Sequence, residues 1–179
     1  MIDIGLGPFV FDTSAESWLL RSESSVVRDW VDRYRTHHPI YVSSATVLER
    51  IRGYNILWLR SDTEKRARID AARLAYLDTL TSVLPVDSAV AVIAAEITTR
   101  IFDPPTPPKK SHQLSESKQD RLVRWRFDAM IAATAVVAGM PLVHNNARDF
   151  EAIRDVLAET VAGRPQLGSL RLADCRSLL

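Results

Sequence analysis

Short apolar runs of strand length alternate along this chain with segments of helical spacing. That alternation predicts an α/β fold on a mostly parallel sheet. "PFVF" ends at Asp12 and reads as a first strand, "TSAESWLL" as a helix behind it, and "SSVVRDWVDRYR" as a second helix that stops before Pro39. "IYVSS" is the next strand, followed by helical patterns in "TVLERIRGYNILWL" and "TEKRARIDAARLAYLDTL". "VLPVD", "PLVH" and "SLRL" supply further strands, and "SAVAVIAAEITTRIF" a helix between the first two of these. Thr13 with Glu16, and Thr46 with Glu49, have the spacing of capping boxes at helix starts.

One segment departs from this rhythm. "DPPTPPKKSHQLSESK", from Asp103 to Lys118, is rich in Pro, Ser and Lys and cannot continue either neighbouring helix, so it is expected to be an insertion loop. After it, "WRFDAMIAATAVVAGMPLVHNNARDF" places one carboxylate, Asp128, at the expected head of a small, apolar helix. The strand that follows ends in two asparagines and then Asp149.

Composition narrows the picture. A chain of 179 residues with 46% hydrophobic content is long enough for one domain with a sizeable core, and residues 1–179 are expected to form one. A net charge of +1 excludes chain-wide attraction to nucleic acid, so any such surface must be regional. The single Cys175 excludes an internal disulfide and a CxxC metal site. No charged-then-apolar leader and no apolar run of spanning length occurs, and a cytoplasmic protein with no membrane association is expected.

The acids fall at matching topological positions. Asp12 follows the first strand, Glu49 lies in the expected first turn of the helix after the second, Asp128 heads a helix, and Asp149 opens the helix after "PLVHNN". In a parallel sheet, strand carboxyl ends and the helix starts behind them share one edge, where ligands bind. Converging carboxylates repel, and a hard divalent cation with oxygen ligands, Mg²⁺ or Mn²⁺, is the usual compensation. Each acid also has a local reading: Glu49 as partner of Thr46, Asp149 opposite Asn146, Asp128 at a helix dipole, Asp12 in a turn.

"FDTS" at 11–14, "VLERIRGY" at 47–54, "FDAMIAATA" at 127–135 and "NNARDF" at 145–150 resemble, in order and spacing, the signature segments of the PIN-domain family. The resemblance is nearest to the VapC-type toxin ribonucleases of bacterial toxin–antitoxin systems and covers nearly the whole chain. It implies a three-layer α/β/α fold with a central, mostly parallel sheet of four to five strands. It also implies a metal-dependent endoribonuclease whose acidic set is Asp12, Glu49, Asp128 and Asp149. Asn146 would orient the fourth acid or a metal-held water, or cap a helix; Thr13 would bind a metal water or cap its own helix. Ala132, Ala133 and Ala135 would let the Asp128 helix approach the sheet. A homodimer and an antitoxin that approaches the active site are implied as well. The chain departs from the family at His144, where members commonly carry Thr or Ser.

Phosphates need positive charge beside such a crevice. Seven Lys or Arg face three acids between Arg50 and Arg73, and six face two between Lys109 and Arg126. Arg124 and Arg126, directly before Asp128, are the expected RNA contacts. Two other readings stand beside the ribonuclease: a non-catalytic PIN-like module that binds RNA or protein, and a metal-dependent phosphatase or phosphoacceptor, against which "FDTSAE" offers no DxD pair.

Overall fold

A computed structural model of the protein describes residues 2–108, 110–111, 114–115, 117–159 and 168–178. Strand β1 (Val10–Phe11) leads into helices α1 (Thr13–Arg21) and α2 (Ser25–His37), then β2 (Tyr41–Ser43), α3 (Ser44–Leu59) and α4 (Thr63–Thr79). After β3 (Ser82–Leu84) and α5 (Ser88–Arg100), an antiparallel pair, β4 (Lys110–Ser111) and β5 (Leu114–Ser115), precedes α6 (Lys118–Ala138). β6 (Leu142–His144), α7 (Ala147–Ala158) and β7 (Leu172–Asp174) complete the order.

The sheet runs β3-β2-β1-β6-β7 with every pairing parallel, as the alternation predicts. Phe11 lies beside Val42 on one side and Val143 on the other, so the carboxyl ends of β1, β2 and β6 are level. From β1 the chain builds outward to β2 and β3 and then returns to the opposite side at β6. The β1/β6 gap is therefore the switch point at which a crevice opens.

Period-two alternation divides the core. Phe9, Phe11 and Val143 point into one cluster with Leu19, Val27, Trp30 and Tyr34 from α1 and α2. Val10 and Leu142 point into the other, with Ile97, Ile131, Ile153 and Leu157 from α5, α6 and α7. This gives the three-layer α/β/α arrangement. Ala132, Ala133 and Ala135 are fully buried against the sheet side, and Thr134 is hydrogen-bonded to Ser43 at the end of β2 (2.8 Å).

Several local expectations are corrected. Asp12, not Thr13, caps α1, its carboxylate accepting from the Ala15 N–H, because the strand ends one residue earlier than a Thr13 cap requires. α3 starts at Ser44 behind Ser43, which makes Glu49 its sixth residue and removes the Thr46–Glu49 capping box. α6 begins at Lys118 behind the Ser117 cap, so Asp128 is its eleventh residue and not its head. Polar residues such as Lys, Arg and Gln favour helix as well as most apolar ones do, and the change of composition at Phe127 is no boundary. The expected insertion loop thus ends in helix and contains the β4–β5 pair; residues 109, 112–113 and 116 lie outside the described residues. The last strand is Leu172–Asp174, which begins on the last residue of "SLRL".

Candidate active site

A cavity of about 840 Å³ opens over the carboxyl ends of β1 and β6. Asp12, Glu49 and Asp128 line it together with Thr13, Ser14, Asn145 and Asn146. Three of the four expected acids therefore share one wall. Asp149 is fully buried and does not reach the cavity surface.

Each acid is held by its neighbours. Asp12 accepts from the Ala15 N–H (2.5 Å) and from the Ser14 hydroxyl (2.8 Å). Glu49 accepts from the Thr13 hydroxyl (2.5 Å), which ties α1 to α3 across the crevice and gives Thr13 a role other than capping. Asn146 occupies the N-cap position of α7 without capping it; its amide donates instead to Asp149 (2.8 Å) and Asp128 (3.4 Å). Asp149 further accepts from the Thr106 N–H (2.7 Å) and faces Arg124 at 3.6 Å. Neither half of an Asn146–Asp149 capping box is formed.

The electrostatics follow from burial. Asp12 is 3% exposed and its carboxyl is pushed up to about 6, mainly by desolvation, against the opposing hydrogen bonds of Ala15, Ser14 and Asn145. Asp128 lies well above the ordinary carboxylate range, first from burial and then from the charges of Asp12, Glu49 and Asp149, with Arg124 opposing. The donor set is all oxygen, as a hard divalent cation requires, and a cation here would relieve that repulsion. Among the described residues, however, no three of His, Cys, Asp or Glu stand together as a ready-made cage. The acids fit such an ion in chemistry and in wall position.

Positive charge also lines the cavity. Arg124 is one turn from Asp128 on the same face of α6, as i and i+4 require. Arg126 is exposed and outside the cavity lining, because two residues along a helix turn a side chain to the far face, so its expected place at the crevice mouth is not met. Arg50, from the basic stretch 50–73, lines the cavity, and so do Arg21 and Thr106, which were not anticipated. The spacing Ser14, Ser17, Trp18, Arg21 is a single-face helical stripe behind Asp12 and carried the signal for Arg21. Nothing local marked Thr106.

His144 is buried, its ring tilted against Phe150 with centroids 5.5 Å apart, and its Nδ1 has no partner; burial lowers its pKa. No described helix is long and apolar enough to cross a membrane.

Solved structures with the same fold include VapBC-1 from nontypeable Haemophilus influenzae, at TM-score 0.58 and 15% identity over 94% of this chain and 98% of that one. VapBC2 from Rickettsia felis, bound to a DNA fragment from their promoter, matches at TM-score 0.57 and 14% identity over 93% and 97%. DNA-bound VapBC from Salmonella typhimurium matches at 0.56 and 20% over 93% and 97%. At such identities the likeness is one of fold. No curated protein sequence matches the chain. The sequence matches the PIN domain over residues 9–156, most of its length, and that match together with the acid-lined crevice at the β1/β6 switch point places the chain in the PIN domain family.

Proposed function

We propose that the protein is a Mg²⁺- or Mn²⁺-dependent endoribonuclease, the toxin of a toxin–antitoxin pair. The observation that carries this reading is the joint lining of one cavity by Asp12, Glu49 and Asp128 with Arg124 beside them. Those three carboxylates would hold the ion. When bound, it supplies Lewis-acid chemistry at a phosphodiester: it neutralises charge that builds up on the phosphoryl oxygens and favours ionisation of the attacking water.

The remaining residues orient and steer. Thr13 fixes the Glu49 carboxylate, and Asn146 aims Asp128 while bridging it to Asp149. Asp149, satisfied by Thr106, Asn146 and Arg124, holds the guanidinium of Arg124 toward the cavity, where it meets a phosphate that the acids would otherwise repel. Asp149 is read as this positioning group and not as a ligand. The fold shared with the VapBC chains supports an antitoxin partner, and a homodimer belongs to the same reading.

A non-catalytic RNA- or protein-binding module is the second reading, favoured by the separation of the acids among the described residues. Purified protein incubated with total cellular RNA in Mg²⁺, Mn²⁺ or EDTA, followed by mapping of cut ends, separates them. Discrete EDTA-sensitive cuts, abolished in a folded Glu49→Gln variant, are expected. Binding without cuts in any metal would establish the second reading instead.

A further inference from the structure

The cavity has a second wall of opposite character. Helix α1 turns Ser17, Trp18 and Arg21 toward the cavity, beyond the acids, and Arg50 reaches the same place from α3. Arg50 Nη1 donates to Ser17 Oγ (3.1 Å), and Arg21 Nη2 donates to that same hydroxyl oxygen. Two guanidinium groups thus meet on one neutral atom.

Like charges do not gather there without cause. Arg50 is pinned: Glu16 stands 3.8 Å behind it, and its guanidinium carbon lies 5.0 Å from the centre of the Tyr76 ring. Its side chain is 20% exposed, while Glu16 is 3% exposed and faces away from solvent. Arg21 is exposed at the cavity and donates to the Ser17 carbonyl (3.1 Å) as well as to its hydroxyl; buried Glu16 feels its charge as well as that of Arg50, and exposed Glu23 stands at the rim. Such a pair, with Arg50 fixed and partly desolvated and exposed Arg21 beside it, is complementary to an anion with oxygens on two sides, as a phosphodiester has. Trp18 is half-buried, so part of its indole faces the cavity between the arginines and the acids.

The distances set what would bind. From Asp12 to Ser17 and Trp18 is roughly 7.5–9 Å along α1 at 1.5 Å per residue. That is too far for the phosphate under attack and suits a neighbouring one.

We propose that Arg21 and Arg50, converging on Ser17, form with the Trp18 indole a subsite for the phosphate and base of the nucleotide flanking the scissile bond of a single-stranded RNA. A single strand is required because only an unstacked base can lie on the indole. The subsite rests on the nuclease reading but is separable from it.

The test measures fluorescence anisotropy of a labelled octameric oligouridylate in EDTA, on an Asp128→Asn background where the RNA is uncut and one repelling carboxylate is gone. Arg21→Gln is expected to weaken binding roughly tenfold and to lower the salt slope by about 0.7. Trp18→Leu is expected to weaken it at least about fivefold with the slope unchanged. Arg50→Lys keeps the charge opposite Glu16 and so guards against misfolding; it should weaken binding while Arg154→Gln, on α7 and outside the cavity lining, should not. Unchanged affinity and slope in Arg21→Gln and Trp18→Leu overturn the subsite, as does failure of the background protein to bind the oligonucleotide. Wild-type cutting of total RNA in Mn²⁺ judges the nuclease reading separately: cuts with Arg21-independent binding sink only the subsite. Arg21-dependent binding without cuts sinks only the catalysis.

Discussion

Neutralising Asp12 should stabilise the metal-free protein, and the effect should depend on pH in a defined direction. The carboxyl is raised from 3.8 to about 6. The folded chain therefore binds this proton more tightly than the unfolded chain, and stability is lost as pH rises through that window. At 1.36 kcal/mol per unit, the 2.2-unit difference between those two values makes the ionised group cost about 3 kcal/mol above pH 6. Asp12→Asn removes the charge and keeps an oxygen for the Ala15 N–H, but its amide then opposes the Asn145 N–H, which costs about 1 kcal/mol. A net gain of about 2 kcal/mol at pH 8 follows, or roughly 4–8 °C in Tm for a chain of this size. Below pH 4 the native carboxyl is already protonated, and the advantage should vanish. Urea unfolding in EDTA, followed by circular dichroism at pH 4, 6 and 8, gives the result. A folded variant that is less stable than wild type at pH 8, or a difference that does not change with pH, would refute the argument. Asp128→Asn should act with the same sign, since burial and three neighbouring carboxylates raise its pKa. A helix-dipole role, which would give the opposite sign, has no place in the middle of α6.

Asp149→Ala should do the reverse and destabilise by about 3 kcal/mol, because Thr106, Asn146 and Arg124 lose their shared buried acceptor. Amide exchange at Thr106 should accelerate, and unchanged exchange would show that Asp149 does not anchor residues 103–108. Cys175 is buried and its thiol is pushed up to about 12, chiefly by desolvation. A thiol-specific reagent at pH 8 should label it only after unfolding, and prompt labelling of the native protein would contradict its burial.

Much of the fold was legible locally because side-chain period is a local property. Val10 and Phe11 alternate between two clusters, as a buried strand must, and the apolar faces of α2 and α7 declare themselves at 3.6-residue spacing. Parallel strands then force Asp12 and Asn145 to one edge, so the place of the crevice followed from strand ends, while Glu49 and Asp128 reach it from within α3 and α6. Composition misled at Phe127, where a helix already under way passed from charged to apolar residues, and Asp128 was placed at a terminus it does not occupy. Only the tertiary structure decided that Glu49 meets Thr13, that Thr106 covers Asp149, and that Arg21 and Arg50 share Ser17. These contacts join residues 33 to 43 positions apart, except the one within α1. No local periodicity encodes them, because they depend on how far each helix is rotated and shifted when the two cores close against the sheet.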